Sequence, residues 1–144
     1  MLGIVLTGHG GFATGLEKAR KQSLGEQEQM IAVDFPEDST TALLTTQLEE
    51  AIYSLRESDS IVFLTDLLGG TPFRVASTLA LQQSGWELIT GTNLQLLLEM
   101  MMERDELDST TFRLRALECG HRGLTSLADE LSRTPAAVEN EDGI

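Results

Sequence analysis

The stretch Leu6-Thr7-Gly8-His9-Gly10-Gly11 lies between a short apolar run, Leu2 to Leu6, and an amphipathic pattern from Phe12 to Leu24. A buried strand, a glycine turn and a helix in this order indicate the first βα unit of an open α/β sheet. Such folds bind anionic ligands at this turn, because helix N-termini present free N–H groups there. A glycine-flanked imidazole has nothing to pack against in the turn. His9 is therefore predicted to be chemically active, the alternative being a polar turn residue.

Strand-like and helix-like patterns alternate four times along the chain. The predicted strands are Leu2–Thr7, Met30–Phe35, Ile61–Thr65 and Trp86–Thr90. The predicted helices are Phe12–Leu24, a helix with Ser39 as its N-cap, a helix with Pro72 at its first position, and Asn93–Arg104. Strands joined by helices run parallel, and right-handed crossovers place helices on both faces of the sheet. We expect a single three-layer α/β/α domain with a mainly parallel sheet in the order 2-1-3-4.

The last part of the chain has a less regular pattern. Over Phe112–Ala116, apolar residues alternate with arginines, which suggests a strand, although a helix through Glu118 fits equally well. Gly123–Leu131 also fits either an edge strand or a helix. We expect the domain to span residues 1–131 and a disordered acidic tail to span residues 132–144.

The fourth predicted helix is apolar on almost every side. Its large apolar residues are Leu94, Leu96, Leu97, Leu98, Met100, Met101 and Met102. A helix that is apolar all round is buried on more than one side. In a chain of 144 residues, a second subunit is the expected cover.

Composition excludes several classes of function. The formal net charge of −13 would repel a phosphate backbone, so no nucleic-acid partner is expected. Lys18, Arg20 and Lys21 form the one basic cluster, which helix placement predicts to be a solvated face. One cysteine, Cys119, can form neither an internal disulfide nor a metal site alone, which fits a reducing cytoplasm. No stretch approaches the ~20 apolar residues of a membrane span, so we expect a cytoplasmic protein.

The first loop imitates a dinucleotide-binding motif. Gly8-His9-Gly10-Gly11-Phe12-Ala13 fits G-x-G-x-x-G/A, and Asp34 closes the second strand where a ribose-binding acid would be expected. However, a chain of 144 residues is barely long enough for one mononucleotide-binding half of a dinucleotide-binding domain and part of the second half. The side chain of His9 would also project near the pyrophosphate path. We expect Asp34 to be a turn residue instead.

The second loop, Thr65-Asp66-Leu67-Leu68-Gly69-Gly70-Thr71-Pro72-Phe73, supplies what the first loop lacks. Its glycines permit close backbone approach, Thr71 can cap the next helix, and the N–H groups beyond it point at an anion. Strands one and three are neighbours in the 2-1-3 order, so His9 and Asp66 are expected to meet. A carboxylate that accepts one ring N–H leaves the other nitrogen unprotonated toward an electrophile. A helix N-terminus and glycine amides suit phosphorus as that electrophile.

The sequence thus predicts a phosphoryl-transfer site with His9 as nucleophile and Asp66 as its orienting carboxylate. The phosphate-binding residues are predicted to be Gly69, Gly70 and Thr71. Asp66 has an alternative role as a structural cap of its own loop.

Four segments together resemble a known family. They are the strand-Gly-His-Gly start, Leu24-Gly25-Glu26-Gln27, Phe63-Leu64-Thr65-Asp66 with Gly69-Gly70-Thr71-Pro72-Phe73, and Gly91-Thr92-Asn93-Leu94. From Leu2 to about Arg104 the chain resembles the IIA component of the mannose-type family of bacterial phosphoenolpyruvate-dependent sugar phosphotransferase systems. Ala32–Pro36 and Glu118–Gly123 resemble the branch that handles N-acetylgalactosamine or galactosamine.

This resemblance implies a phosphotransferase that is a protein-histidine phosphoryl carrier. His9 would take a phosphoryl group on Nε2 from phospho-HPr and pass it to a IIB component. IIB then phosphorylates an amino sugar that enters through the membrane components IIC and IID, which this chain would meet only indirectly. Asp66 would bond the other ring nitrogen, and the glycine loop would face the phosphate. The resemblance implies neither a metal nor another cofactor.

The resemblance also implies an assembly. Relatives form homodimers in which a C-terminal edge strand swaps between subunits, so an antiparallel, swapped edge strand is expected here. The IIB component is expected to be a separate chain, because this sequence ends at Ile144. Some relatives have Thr or Ser where this chain has Gly8, so a hydroxyl contact is expected to be missing.

Two other classes of function fit parts of the pattern. A phosphohistidine hydrolase would use the same histidine and then admit water, but Arg74 is the only arginine near either loop. A flavodoxin-like nucleotide- or anion-binding regulatory module would use the glycine loops for binding alone. His121 is a rival reactive histidine, but it lacks a predicted anion cradle and is expected on a surface loop. Cys119 is expected to be a small buried residue.

Overall fold

The computed structural model describes residues 1–133 of the chain. Its strands are β1 (Gly3–His9), β2 (Met30–Phe35), β3 (Ile61–Thr65) and β4 (Glu87–Ile89). They form one parallel sheet in the order β2-β1-β3-β4, which confirms the predicted topology. Thr7 lies opposite Thr65 in the register of β1 and β3. The residues that follow this pair, on the two central strands, therefore meet at one edge of the sheet.

The helices cover both faces of the sheet. They are α1 (Phe12–Leu24), α2 (Thr41–Ser54), α3 (Thr71–Ala80), α4 (Leu94–Glu103), α5 (Ser109–Arg122) and α6 (Leu127–Leu131), with a short 3-10 helix at Arg104–Glu106. Because successive strand residues face opposite sides, Ile4 and Leu6 are buried against α1, α4 and α5, whereas Val5 is buried against α2 and α3. A strand that is covered on both faces has a continuous run of apolar residues in its sequence.

Two helices begin at residues other than those predicted. The N-cap of α2 is Thr40 rather than Ser39, because the Thr40 hydroxyl accepts a hydrogen bond from the Leu43 N–H at 3.1 Å. Gly70 is the N-cap of α3 and has no side chain to offer. Thr71 is therefore the first residue of α3 and does not cap it.

The two segments that could have formed the expected antiparallel edge strand are mainly helical, with α5 at Ser109–Arg122 and α6 at Leu127–Leu131, so the helix alternative holds for both. The Asp108 carboxylate caps α5 by accepting the Thr111 N–H at 2.7 Å. The buried positions of α5 are Ser109, Phe112, Ala116 and Cys119, spaced by three, four and three residues. This helical period fixes the face that packs on the core, and it decides between the strand and the helix that the short alternation with arginines left open. The predicted tail, residues 132–144, lies outside the described residues beyond position 133.

The helix α5 also explains the apolar α4. Five residues of α4 are buried within the single chain: Leu96, Leu97, Leu98, Met100 and Met101. Helix α4 lies on the sheet between α1 and α5, and these helices share its core. The chain itself therefore supplies the cover that was expected from a second subunit.

Two arginines are buried near the N-terminal ends of β1 and β2. The predicted solvated cluster is wrong for Arg20, whose side chain is 2% exposed and donates to the Gly25 carbonyl. Arg104 donates from Nη1 to the carbonyls of Leu2 and Gln29, at 3.3 and 3.0 Å. It thereby joins the beginning of β1 to the residue before β2, at the end of the sheet opposite His9. Neither arginine is placed to serve the site.

Within residues 1–133, none of the helices is long and apolar enough to cross a membrane.

Candidate active site

His9 and Asp66 meet at the C-terminal edge of the sheet, as predicted. His9 ends β1, and Asp66 directly follows β3. The Asp66 Oδ2 atom accepts the backbone N–H of His9 at 2.8 Å and lies 2.9 Å from its ring Nδ1. The other oxygen, Oδ1, accepts the Leu67 N–H at 2.8 Å. The carboxylate is thus fixed by its own loop and in turn fixes the imidazole.

The charge state of Asp66 determines which ring nitrogen carries the proton. Partial burial raises the pKa of Asp66, but hydrogen bonds from the His9 N–H, the His9 ring and the Leu67 N–H outweigh it and hold the pKa below the usual 3.8. An ionised carboxylate can only accept hydrogen bonds, so Nδ1 is the protonated nitrogen. The lone pair of the neutral ring is consequently on Nε2, and the His9 side chain is 44% exposed.

Gly70 is the residue that gives the imidazole its space. A Cβ atom at this position would lie 2.6 Å from His9 Cε1 and 3.3 Å from Nε2. The preceding Gly69 has a φ of +81°, which an L side chain rarely adopts. The Gly70 N–H donates to the Leu67 carbonyl at 3.1 Å, so Gly70 contributes close approach rather than an N–H donor.

The N-terminus of α3 faces the same place. Thr71, its first residue, follows the glycine that touches His9, and Pro72 has no N–H. The N–H groups of a first helical turn have no partner inside the helix. The N–H groups of Thr71 and Phe73, together with the positive end of the helix dipole, can therefore receive an anion bound to His9 Nε2.

Gly8 is constrained by the same carboxylate. A Cβ atom there would lie 2.6 Å from Phe12 Cδ1 and 2.9 Å from Asp66 Oδ2. A larger residue at this position would require these neighbours to move. The space that a hydroxyl side chain at residue 8 would need is therefore already filled by Phe12 and Asp66.

Asp34 is committed to another contact and is more than the turn residue that was predicted. Its two oxygens accept the backbone N–H of Thr14 at 3.0 Å and the Thr14 hydroxyl at 2.7 Å. Helix α1 has Gly11 as its N-cap, without a side-chain cap, and Asp34 supplies that acceptor from the neighbouring strand. The next residue, Phe35, packs edge-on against the His9 ring at 6.0 Å between centroids. This end of β2 therefore supports the site without joining its chemistry.

Two exposed leucines beside the carboxylate were missed by sequence reasoning. Leu67 and Leu68 are 59% and 72% exposed, and they directly follow Asp66. Large apolar side chains in a loop are usually covered by other atoms. Two leucines in sequence between Asp66 and the glycines were therefore the signal that could have predicted an apolar surface here. They place apolar surface next to a polar, exposed imidazole.

The rival histidine and the single cysteine lie elsewhere in the fold. His121 is an exposed residue in the last turn of α5 rather than in a loop. Cys119 is buried on the same helix, and burial together with the Glu99 carboxylate raises the pKa of its thiol to about 11. Among residues 1–133, no group of three or more His, Cys, Asp or Glu side chains is arranged to hold a metal ion.

Comparison with known proteins identifies the family of the chain. The family model described as PTS system fructose IIA component (EIIA-man) matches residues 3–116. YadI of Escherichia coli strain K12, named as a phosphotransferase enzyme IIA component, is 33% identical over 138 residues, which cover 96% of this chain and 94% of YadI. The mannose-specific EIIAB component of the same strain is 32% identical over 143 residues, covering 95% of this chain and 44% of that protein.

A solved structure shows the same fold. The phosphotransferase system component EIIA from Streptococcus agalactiae superposes with a TM-score of 0.83 at 25% identity, covering 90% of this chain and 99% of that one. The fold and the site define a IIA-type component of a sugar phosphotransferase system. The chain belongs to the EIIA-man family of these components.

Proposed function

We propose that His9 is a transient phosphoryl carrier, which accepts the group from phospho-HPr on Nε2 and passes it to a IIB component. The 2.9 Å contact between His9 Nδ1 and Asp66 Oδ2 carries this proposal, because it fixes the nucleophilic nitrogen. Gly69, Gly70 and Thr71 form the phosphate-binding loop in this proposal. The proposed domain spans residues 1–131, and the reaction is proposed to be cytoplasmic.

The transfer is balanced without a cofactor. The Nε2 lone pair attacks phosphorus, the new N–P bond forms, and the P–N bond to the donor histidine breaks. The donor nitrogen keeps the bonding electron pair, while the His9 Nδ1 proton stays in its hydrogen bond to Asp66. The N-terminus of α3 stabilises the charge on the phosphoryl oxygens. In the transfer to IIB, His9 is the donor. The IIB acceptor attacks phosphorus, and His9 Nε2 keeps the electron pair of the P–N bond that breaks.

The surface around His9 suits a protein as donor. The imidazole is 44% exposed, so a second active-site side chain can reach it. The exposed Leu67 and Leu68 offer apolar contact area beside the reacting nitrogen, as interface centres do. A IIB protein docking on the same surface would present its acceptor to the same Nε2 atom.

Labelling tests the carrier role directly. The chain is incubated with HPr that has been phosphorylated from radiolabelled phosphoenolpyruvate. We expect an acid-labile, base-stable phosphoryl group on His9 and no label in His9→Ala, with His121→Ala labelled as the matched control. Label retained in His9→Ala would refute the proposal, and rapid release of free phosphate from the labelled protein would favour the hydrolase instead.

We further propose that the sugar is N-acetylgalactosamine or galactosamine. The support is the resemblance of Ala32–Pro36 and Glu118–Gly123 to that branch, whereas two similar proteins are named for fructose and mannose. Phosphoryl transfer from the labelled chain to IIB proteins of amino-sugar, mannose and fructose specificity would decide. Transfer that is fastest to a mannose or fructose IIB would contradict the amino-sugar assignment.

We also propose that the chain forms a homodimer. Its support is the exposed leucines of α5, α6 and the loop between them, which are Leu114, Leu117, Leu124, Leu127 and Leu131. Leu114 and Leu117 share one face of α5, and a second copy can cover an exposed apolar patch of this kind. Sedimentation equilibrium should give a dimer at micromolar concentration, weakened in Leu114→Glu and unchanged in Leu81→Glu, which alters an exposed leucine after α3. A monomer at that concentration would contradict the proposal.

A further inference from the structure

Arg74 is the one charged residue in the first turns of the four helices that begin at the His9 edge of the sheet. Those turns are Phe12–Gly15, Thr41–Leu44, Thr71–Arg74 and Leu94–Leu97. The chain has a formal net charge of −13, and Asp66 already places a carboxylate against His9. A phosphoryl group on His9 adds about two negative charges at neutral pH. The site therefore needs a cation, and Arg74 is placed to supply it.

The guanidinium of Arg74 already lies at the N-terminus of α3. Its Nη2 atom donates to the Thr71 hydroxyl at 3.3 Å. Thr71 directly follows Gly70, whose Cα approaches the His9 ring so closely that a Cβ would lie 3.3 Å from Nε2. The Arg74 head group is thus folded back to the first residue of α3, one residue after the glycine that touches the His9 ring.

The contact that holds Arg74 is weak and exchangeable. The Thr71 hydroxyl is a neutral acceptor at the long end of the hydrogen-bond range. Arg113 and Arg122, by contrast, each bind a glutamate at 3.0 Å. In the part of the chain that the structure describes, no carboxylate lies within ion-pair distance of Arg74, which is exposed. A phosphoryl oxygen would be a charged acceptor and a stronger partner than the hydroxyl.

We propose that Arg74 is a phosphate-binding residue of the carrier, whose guanidinium moves from the Thr71 hydroxyl to the phosphoryl oxygens once His9 is modified. The inference rests on the proposed carrier function. It adds a planar cation with two parallel N–H donors to a loop otherwise made of glycines and helix amides. Arg74 thereby stabilises the phosphorylated form, and the Thr71 hydroxyl becomes free to donate to the same group.

Equilibrium measurements separate this role from partner docking. Wild type, Arg74→Gln and Arg74→Lys are equilibrated with phospho-HPr, and the equilibrium constant for transfer to His9 is measured. The affinity with which the two proteins dock does not change this equilibrium constant, whereas stabilisation of phosphorylated His9 does. Arg56→Gln is the matched control, because Arg56 is an exposed arginine at the opposite end of the molecule, placed over the Tyr53 ring.

We expect Arg74→Gln to lower the equilibrium constant about tenfold, the size of one charge-assisted hydrogen bond at an exposed site. Arg74→Lys should keep part of the effect, and Arg56→Gln should match wild type. A ³¹P NMR titration of the isolated phosphoproteins gives a second readout, because a nearby cation favours the more charged phosphoryl form. Arg74→Gln should raise the second pKa of the phosphoryl group, whereas a merely structural role would not.

The failures are distinguishable. Suppose that His9 is labelled in wild type, but that Arg74→Gln and Arg56→Gln give equal equilibrium constants and equal ³¹P titrations. This result would overturn the inference about Arg74 and leave the carrier function standing. No label on His9 in wild type would overturn both the inference and the carrier function. Thermal unfolding of each variant verifies that the exposed substitutions leave the fold intact.

Discussion

The Asp66 Oδ2 atom contacts His9 twice, through the backbone N–H at 2.8 Å and through ring Nδ1 at 2.9 Å. The first contact fixes where β1 ends relative to the loop after β3, and the second fixes the rotation of the imidazole. One carboxylate oxygen thus couples backbone position to ring orientation. The tautomer of His9 consequently depends on Asp66.

Asp66→Asn should slow phosphoryl transfer to His9 by about 100-fold, the scale of a misoriented reacting group. An asparagine amide can donate to Nδ1, which moves the ring proton to Nε2 and blocks its lone pair. Rapid-quench measurement of label transfer from phospho-HPr gives the rate. Asp34→Asn is the matched control, because this carboxylate binds Thr14 instead, and it should transfer at the wild-type rate. Equal rates in wild type and Asp66→Asn would remove Asp66 from the mechanism.

The same contacts should make stability depend on acid pH. Hydrogen bonds to Asp66 hold its folded-state pKa below 3.8, so the unfolded chain binds the Asp66 proton more readily than the folded chain does. The resulting stabilisation is fully present above the unfolded pKa and is lost as the pH falls through the folded pKa. Urea unfolding of wild type and Asp66→Asn at pH 6 and at pH 3 measures this. The stability difference between them should shrink at pH 3, and a constant difference would contradict the assignment.

Much of the fold and the site was predictable because local signals and topology agree there. The apolar runs of β1 and β3, the turn at Gly25 and the proline at residue 72 each point to one structure. Once the strand order is 2-1-3, His9 and Asp66 follow neighbouring strands and must come close. The contact between them therefore required no knowledge of long-range packing.

The remainder depended on packing that short patterns do not encode. The first residues of α5 alternate like a strand, and only the buried faces of Phe112 and Ala116 against the core make them helical. Because a strand and a helix fitted that segment equally well, the sequence did not identify α5 as the cover of α4. The charge of Arg20 predicts an exposed side chain. The sequence does not show that the Gly25 carbonyl accepts its hydrogen bond in the folded protein.

Cys119 should be chemically inert in the folded protein. Burial, followed by the Glu99 carboxylate, raises the pKa of its thiol from 9.0 to about 11. The thiolate is the reactive form, so alkylation by iodoacetamide at pH 8 should be slow until urea unfolds the chain. Because the folded state holds this proton more tightly, stability should fall as the pH rises from about 9 to 11, and this slope should be smaller in Cys119→Ala. Fast alkylation of the folded protein at pH 8 would contradict the burial.

Gly70→Ala should disable the carrier while leaving most of the fold intact. The added methyl would lie 2.6 Å from His9 Cε1, closer than carbon atoms approach each other, so the ring must turn away or the loop must shift. Either movement displaces Nε2 from the N-terminus of α3 and should lower the transfer rate by about 100-fold. The displaced ring should also appear as a shift of the His9 imidazole resonances in NMR spectra.

Gly11→Ala provides the matched control for this steric argument. It places the same methyl in the other glycine loop, where the nearest atom would be the Thr14 hydroxyl at 3.9 Å, an ordinary contact. Gly11 has a φ of −95°, which alanine adopts without strain. Transfer by Gly11→Ala should therefore equal that of wild type. If Gly70→Ala transferred equally fast, the close approach of Gly70 to His9 would have no part in forming the site, and the loop after β3 would act only through Asp66.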